Sequence, residues 1–386
     1  MTGQLAPTLD EPGEHPMHAL IAAPVGDAHL LLRPGSPKAV KLGAAKFTEL
    51  QSAVQAAEAV PSWLVDPVAR SWGIDLTDRP AAGTVLVREA GPYEFSRATY
   101  EINLGCDFDC EHCYLGEKKF EGVDLAGKER LLLTLRDAGV IWLQITGGEP
   151  LIDPHFPFVY ERAHELGMQV EILSNGSRLR TDRMFNLLAK YPPTKLSLSV
   201  YGASAETYDG LTRRRGAYER FTEGLSRAVG ARLNVDMSLI ITSRNAHEQG
   251  DMRQWAVDLG VPYREYANIS PTIYGTGETL PTQSPEHLTQ RAPFTGCPAG
   301  HTFFHVDPHG RASICKVGRD PSIDLLTEGV EGLARLGDIA DSLMLRTGGC
   351  SGCTLSATCR VCRPMAKVFQ EAKAPLQNYC QHGGTP

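Results

Sequence analysis

Residues 1–16 hold acids, prolines and glycine with no apolar period, and they read as a flexible lead. The pattern changes at residue 17. Short apolar runs at 19–25 and 29–32, closed off by Pro34, Gly35 and Pro37, predict two strands; helical spacing of apolar positions comes next, over 46–60 and 62–72. Residues 17–92 therefore read as a small α+β unit. Beyond residue 93 a regular alternation begins. Apolar strand-like runs occupy 98–104, 141–146, 169–173, 195–200, 233–241 and 263–269, and helical patterns fall between them at 125–138, 156–166, 182–188, 218–229 and 247–259. Six strands alternating with helices over 93–275 predict an α/β fold, a parallel sheet with helices outside, whose reactive groups gather at the carboxyl ends of the strands.

Residues 276–296 shift to Thr, Pro, Gly and Ser and read as a linker. The remaining stretch, 297–386, is rich in cysteine and glycine with little helical periodicity, so metal ligation is expected to hold it together.

Composition narrows the function. At 386 residues and 42% hydrophobic the chain can fill two or three cores. A net charge of -7 gives no general field for nucleic acid or an anionic membrane. The local run Arg213-Arg214-Arg215 reads first as a solvated loop, with a ligand-facing role as the alternative. Residues 1–16 lack the basic and apolar regions of a secretory signal, and no stretch reaches bilayer-spanning length. A cytoplasmic protein is expected. Its ten cysteines are then metal ligands or catalytic groups rather than disulfides. None precedes Cys106, none lies between Cys113 and Cys297, and seven crowd into 297–380, which implies two metal regions.

The first region spaces its thiols as C-x3-C-x2-C at Cys106, Cys110 and Cys113. Three thiolates on so short a loop can hold three corners of a [4Fe-4S] cube and leave the fourth iron open, although the spacing alone also allows zinc. With Gly147-Gly148-Glu149-Pro150 one strand and one helix later, the chain resembles the radical S-adenosylmethionine (SAM) enzymes, whose open iron chelates the methionine amino and carboxylate groups. The resemblance implies a six-stranded partial (β/α)6 barrel with Cys106, Cys110 and Cys113 on the cluster. It implies that Glu149 accepts from the SAM amino group, after glycines Gly147 and Gly148 that admit a ligand close to the backbone. Ser174, Asn175 and Ser199 match the family's contacts to the methionyl carboxylate and ribose, and His112 stands where an aromatic residue commonly meets adenine. Strand-end caps and a packed loop histidine are the plainer readings of these residues. Asp107 and Tyr201-Gly202 depart from the asparagine and the Asp-Gly that the family often carries.

The second region fits C-x12-G-x4-C over Cys297, Gly310 and Cys315, then C-x2-C-x5-C-x2-C over Cys350, Cys353, Cys359 and Cys362, closed by Cys380. Repeated C-x2-C pairs alone would be read as zinc. Beside the first motif they resemble the SPASM domain of radical SAM peptide maturases, departing from it in the last internal spacing and in lacking an eighth cysteine. That resemblance implies a cysteine-rich iron–sulfur domain with two auxiliary [4Fe-4S] clusters, one on Cys350, Cys353, Cys359 and Cys380. The other rests on Cys297, Cys315 and Cys362, with its fourth iron open or on a side chain such as His301 or His305.

The function implied is oxidative modification of a ribosomally made precursor peptide, a thioether, ether or carbon–carbon crosslink, fed by a flavodoxin- or ferredoxin-type donor. The unit at 17–92 is similar to the winged-helix-like elements that take up a leader peptide as an extra edge strand, and a merely structural N-terminal cap is the alternative reading. Sulfatase-type maturases generally place an aspartate directly after the cysteine matching Cys315, where this chain has Lys316. A SAM-dependent dehydrogenase of a small alcohol or sugar is the alternative enzyme, and a zinc-binding scaffold the alternative without catalysis.

Overall fold

A computed structural model describes residues 18–344, 353–355 and 359–382. The N-terminal unit holds β1 (Leu20–Val25), β2 (Ala28–Leu32), β3 (Ala39–Leu42), α1 (Ala44–Gln55), α2 (Ser62–Trp72) and β4 (Val85–Val87). Its sheet runs β3-β2-β1-β4, antiparallel except for β1 with β4. The sequence pattern marks β1, β2 and both helices. It misses β3 and β4, which have four and three residues and too little period to register. Leu20, Ala22, Leu31, Leu50, Leu64 and Val68 form this unit's own core.

The larger α/β unit comprises β5 (Arg97–Glu101), α3 (Leu125–Asp137), β6 (Trp142–Thr146), α4 (Phe156–Glu165), β7 (Gln169–Ser174), α5 (Asp182–Lys190), β8 (Lys195–Val200), α6 (Ala205–Thr212), α7 (Ala217–Gly230), β9 (Val235–Ile240), α8 (Gln249–Asp258) and β10 (Tyr263–Tyr266). Helix ends reflect local chemistry. Asp124 caps α3 by accepting from Gly127 N at 2.8 Å, and Ser204 caps α6 by accepting from Thr207 N at 3.2 Å. Helix α6 is absent from the sequence reading because AETYDGLT carries weak helix formers and a glycine.

The six strands lie side by side in chain order and all parallel. Parallel strands covered on both faces are usually apolar throughout. Here they alternate. Ala98, Tyr100, Leu143, Ile145, Val170, Ile172, Leu196, Leu198, Met237 and Leu239 join the main core. The intervening positions, Glu101, Gln144, Glu171, Ser197, Ser199, Asp236 and Ser238, give the other face of the sheet a polar lining, in which Ser197 donates to Asp236 at 2.6 Å and Gln144 to Glu171 at 3.4 Å.

The sheet does not stop at six strands. Strand β11 (Phe303–Val306) pairs in parallel with β5, followed by antiparallel β12 (Arg311–Ser313) and β13 (Ile323–Asp324), so that nine strands run β10-β9-β8-β7-β6-β5-β11-β12-β13. Phe304, Val306, Ala312, Ile314, Ile323 and Leu325 then belong to the same core as the six parallel strands. This corrects the expectation of a C-terminal stretch held by metal alone. Its first part is fixed by strand pairing and burial, which the sequence hides because the strands are short and their partner lies two hundred residues earlier. Helices α9 (Leu325–Glu328), α10 (Leu336–Met344) and α11 (Arg363–Glu371) complete the description. No helix among the described residues is long and apolar enough to cross a membrane.

One arginine ties the N-terminal unit to the larger α/β unit. Arg88, 5% exposed, donates to the carbonyls of Leu166 and Gly167 at 2.9 and 3.2 Å and of Arg136 and Val140 at 2.9 and 3.3 Å. It thereby satisfies carbonyls around the C-terminal ends of α3 and α4, where the helix dipoles favour a cation. Burial pulls its pKa down to about 10.

Candidate functional site

The loop after β5 carries Cys106, Cys110 and Cys113, and the loop after β6 carries Gly147, Gly148 and Glu149. The two loops are bonded backbone to backbone: Gly148 N donates to Asn103 O at 3.0 Å and Glu149 N to Gly105 O at 2.8 Å. A Cβ on Gly147 would overlap Asn103 O, one on Gly148 would overlap Gly105 O, and Gly147 has φ +147°. The sequence reading assigns these glycines to close approach of a ligand. In the structure the space a side chain would need is filled by the chain leading into the thiol loop. A buried ion pair reinforces the junction, with Lys128 donating to Ile102 O at 2.7 Å and 3.3 Å from Asp153, which also accepts from Asn103 at 3.1 Å.

Glu149 has no exposed surface. Its carboxylate accepts from Leu151 N at 3.0 Å, Ser174 Oγ at 2.8 Å and Asn175 N at 2.6 Å. Burial, and then the charge of Asp107, push its pKa up to about 8 against those three bonds. Asn175 donates through Nδ2 to Asp107 at 2.9 Å and lies 3.7 Å from Cys106 Sγ, and Ser177 donates to the other Asp107 oxygen at 2.7 Å. Ser174 and Asn175 thus join Glu149 to the thiol loop. Asp107, a departure from the family pattern, is the receiving end of that link.

The three thiols are partly accessible on the loop at the carboxyl end of β5. Burial pushes Cys106 up to about 12 and Cys110 and Cys113 upward too, and each of Cys106 and Cys110 is raised further by other thiols of the set. Cys106 Sγ accepts from Phe108 N at 3.4 Å. Among the described residues no three His, Cys, Asp or Glu side chains converge on one ion; an iron–sulfur cube asks instead for one thiolate at each of three separate corners. Three thiols on one short loop, which a bound metal would convert to thiolates, with N–H donors at Cys106, fit that group.

His112 Nδ1 is buried without a hydrogen bond, and its ring lies 5.4 Å from that of Tyr201. Burial lowers its pKa to about 4, so the imidazole is neutral. Ser199, partly exposed at the end of β8, accepts at its carbonyl from Tyr208 Oη at 3.4 Å. The Arg213 to Arg215 run is exposed beside the thiol loop, where Arg213 and Arg244 both bind Glu111, at 2.9 and 2.6 Å.

Of the second thiol region, burial raises the pKa of Cys362, and the charges of Cys315 and Cys297 raise it further. Gly318 N donates to Cys315 Sγ at 3.2 Å. A cavity of about 340 Å³ lies against Cys362, lined also by Arg291, Phe294, Met365 and Tyr379. Cys359 packs beside Val361, Ala366, Phe369 and Tyr379, and Cys353 and Cys380 are partly buried. Cys350 lies outside the described residues. His301 pairs with Asp341 at 3.0 Å, and His305 is 1% exposed with Nε2 3.4 Å from Glu101. His301 is thus engaged with a carboxylate, whereas neither buried ring nitrogen of His305 makes a hydrogen bond.

A polar cluster that the sequence reading missed joins the two thiol regions. Glu101, at the end of β5, has no exposed surface and receives both terminal nitrogens of Arg319 at 3.0 and 2.9 Å. Burial pushes the Glu101 carboxyl up, but the adjacent His305 and Arg319 outweigh it and hold the pKa at about 2. No local signal could pair residues 218 positions apart. Because the unfolded value is 4.5, the contribution of these partners together, His305 first and then Arg319, is present above pH 4.5 and is lost as pH falls toward 2, by about 3 kcal/mol. Urea unfolding across that window is expected to show the loss in the wild type and a shallower acid slope in Glu101→Gln.

Residues 100–256 match the Radical SAM superfamily. That stretch is a radical SAM domain. It covers the thiol loop, Glu149 and five of the six parallel strands. The chain is 25% identical over 219 residues to the antilisterial bacteriocin subtilosin biosynthesis protein AlbA of Bacillus subtilis, covering 55% of this chain and 48% of that protein. It is 26% identical over 240 residues to the mycofactocin maturase MftC of Mycobacterium tuberculosis, covering 57% and 60%. The chain thus spans about half to three fifths of the length of these relatives. The crystal structure of Streptococcus suis SuiB bound to precursor peptide SuiA has the same fold, with a TM-score of 0.56 at 14% identity over 82% of this chain and 87% of that one.

Proposed function

We propose that this radical SAM protein is a peptide maturase of the SPASM type, acting on a ribosomally made precursor in the cytoplasm and joining two of its residues by an oxidative crosslink. The observation that carries the reading is that the two thiol regions meet across the chain: Lys316, next to Cys315, stands 4.6 Å from the ring of Tyr114, next to Cys113, and Arg319 pairs with Glu101 at the end of β5. Cys106, Cys110 and Cys113 would hold a [4Fe-4S] cluster. Glu149 would accept from the SAM ammonium, with Gly147, Gly148, Ser174, Asn175, Ser199 and His112 shaping the rest of that subsite. Cys297, Cys315 and Cys362 would hold one auxiliary cluster, and Cys350, Cys353, Cys359 and Cys380 the other.

When bound, the first cluster and SAM supply a carbon radical able to take a hydrogen atom from an unactivated C–H bond, after one-electron reduction by a flavodoxin- or ferredoxin-type donor. The protein's part is to aim and shield it. The polar face of β5 to β9 admits a hydrated peptide backbone, and burial of Glu149 keeps bulk water from the SAM subsite. Strand β3, an outer strand of the N-terminal sheet with exposed Ala39 and Lys41, is the place we assign to a leader peptide. That SuiB was crystallised with its precursor peptide supports a peptide as the ligand of this fold.

The test is anaerobic turnover of reconstituted protein with SAM, dithionite and the short peptides encoded beside its gene. Loss of two hydrogens from one peptide, matched by 5'-deoxyadenosine, is the expected result. Vigorous 5'-deoxyadenosine formation with a small alcohol or sugar, and no mass change in any peptide, would replace the maturase with a dehydrogenase.

A further inference from the structure

One side chain of the thiol loop ties it to the far side of the sheet. Glu111, between Cys110 and Cys113, accepts from Arg213 Nη2 at 2.9 Å and Nε at 3.3 Å, and from Arg244 Nη2 at 2.6 Å and Nε at 2.9 Å. Arg213 follows α6, in the connection out of β8, and Arg244 follows β9. Those strands lie three and four places from β5, which leads into the thiol loop. The other acids of the loop do less here. Asp107 turns to Asn175 and Ser177, beside Cys106, and Asp109 meets Lys118 at 2.7 Å with its carboxylate 71% exposed, where an ion pair contributes little. The Glu111 side chain is 17% exposed, and the two bonds from Arg244 form a fork across both of its oxygens.

Both arginines stand on fixed backbone. Asp209 accepts from Gly216 N and from Tyr218 N, which closes the turn after Arg213. Asn245, fully buried, accepts from Thr242 N at 2.7 Å and donates to Tyr201 O and Ile240 O at 2.9 and 2.7 Å, which fixes the turn around Arg244. Arg213 itself is left-handed, with φ +50°, at the C-terminal end of α6. Glycine is the least strained residue in that place. An arginine there has its reason in its side chain, which goes to Glu111. Arg214 and Arg215 form no ion pair or side-chain hydrogen bond among the described residues and are the solvated part of the run.

Resting on the reading of Cys106, Cys110 and Cys113 as ligands of the SAM-cleaving cluster, we propose that Glu111, Arg213 and Arg244 are positioning residues that hold Cys110 and Cys113 in place for it. They act through the loop and not as ligands. How firmly the first cluster is retained is then set by side chains from the opposite part of the sheet, while the second thiol region is independent of them.

The experiment follows iron release from anaerobically reconstituted full-length protein into a ferrous chelator. The irons of the first triad are identified as those absent from Cys106→Ala/Cys110→Ala/Cys113→Ala. Glu111→Gln is expected to release these irons about tenfold faster than the wild type, the size of effect that two solvent-screened arginine pairs give together, with the rate for the remaining irons unchanged. Arg213→Gly separates positioning from folding. It removes one arm but relieves the left-handed strain, so the urea midpoint of the full-length iron-free protein is expected to equal or exceed that of the wild type, while the first-triad irons leave about threefold faster. A residue that only stabilised the fold would lower the midpoint as well. Unchanged iron release in either variant, equal acceleration from both thiol regions, or a lowered midpoint in Arg213→Gly overturns the proposal. If the triple cysteine variant holds as much iron as the wild type, the cluster reading itself fails and the proposal falls with it.

Discussion

Replacing Glu149 with glutamine is expected to weaken SAM binding by at least about tenfold and to lower 5'-deoxyadenosine formation with it. Glu149 receives three donors, two on one carboxylate oxygen and one on the other. A glutamine must turn its NH2 group toward one of these positions, so an N–H or O–H in a fully buried site loses its acceptor. The charge that would meet the SAM ammonium is lost as well. The pH dependence separates the two effects. In the protein without SAM the carboxyl has a folded pKa of about 8, above its ordinary 4.5. The folded state then holds the extra proton between these values, and stability falls as pH rises through that window. In Glu149→Gln this slope is expected to vanish, whereas the weakened SAM binding persists at every pH. Unchanged binding by equilibrium dialysis would remove Glu149 from the SAM subsite and leave it as a pin between loops.

The second large effect is on stability. Arg88→Met keeps the aliphatic stem but leaves four carbonyls, of Leu166, Gly167, Arg136 and Val140, without their cation. Hydrogen bonds from a charged donor and the cost of orphaned acceptors add to a loss of about 3 kcal/mol, read as a lower urea midpoint at unchanged slope. Arg88→Lys is expected to recover only part of it, because one ammonium cannot reach carbonyls at the ends of both α3 and α4. A change below about 1 kcal/mol would show that water replaces the arginine and that the N-terminal unit is held by apolar contact alone. Those contacts exist: Ile21, Ala23 and Leu32 pack with Ile141.

The legible parts of the sequence are the local ones. Strand β8 and helix α3 are found almost to the residue because each has a full period of apolar positions. The thiol triplet and the Gly-Gly-Glu-Pro turn are legible because their chemistry is carried by spacing within a few residues. Strands β11 to β13 are not legible, since two to four residues carry no period and their order is decided by pairing with β5 across the chain. The role of Gly147 and Gly148 is half legible: the need for glycine shows in the sequence, but the neighbour that demands it, the backbone of residues 103–105, does not. Glu101 with Arg319 and Tyr114 with Lys316 are invisible for the same reason as β11. They form only after the C-terminal strands are laid against β5.

The central claim is that the first thiol triad holds a SAM-cleaving iron–sulfur cluster and the second region holds auxiliary ones. Iron, sulfide and zinc content of anaerobically reconstituted protein, with dithionite-driven SAM cleavage, tests it in the wild type and in the variant Cys106→Ala/Cys110→Ala/Cys113→Ala. The predicted result is about twelve irons in the wild type, a fall of about four in the variant, and loss of 5'-deoxyadenosine in the variant alone. Zinc in place of iron, with no SAM cleavage by the wild type, would contradict it.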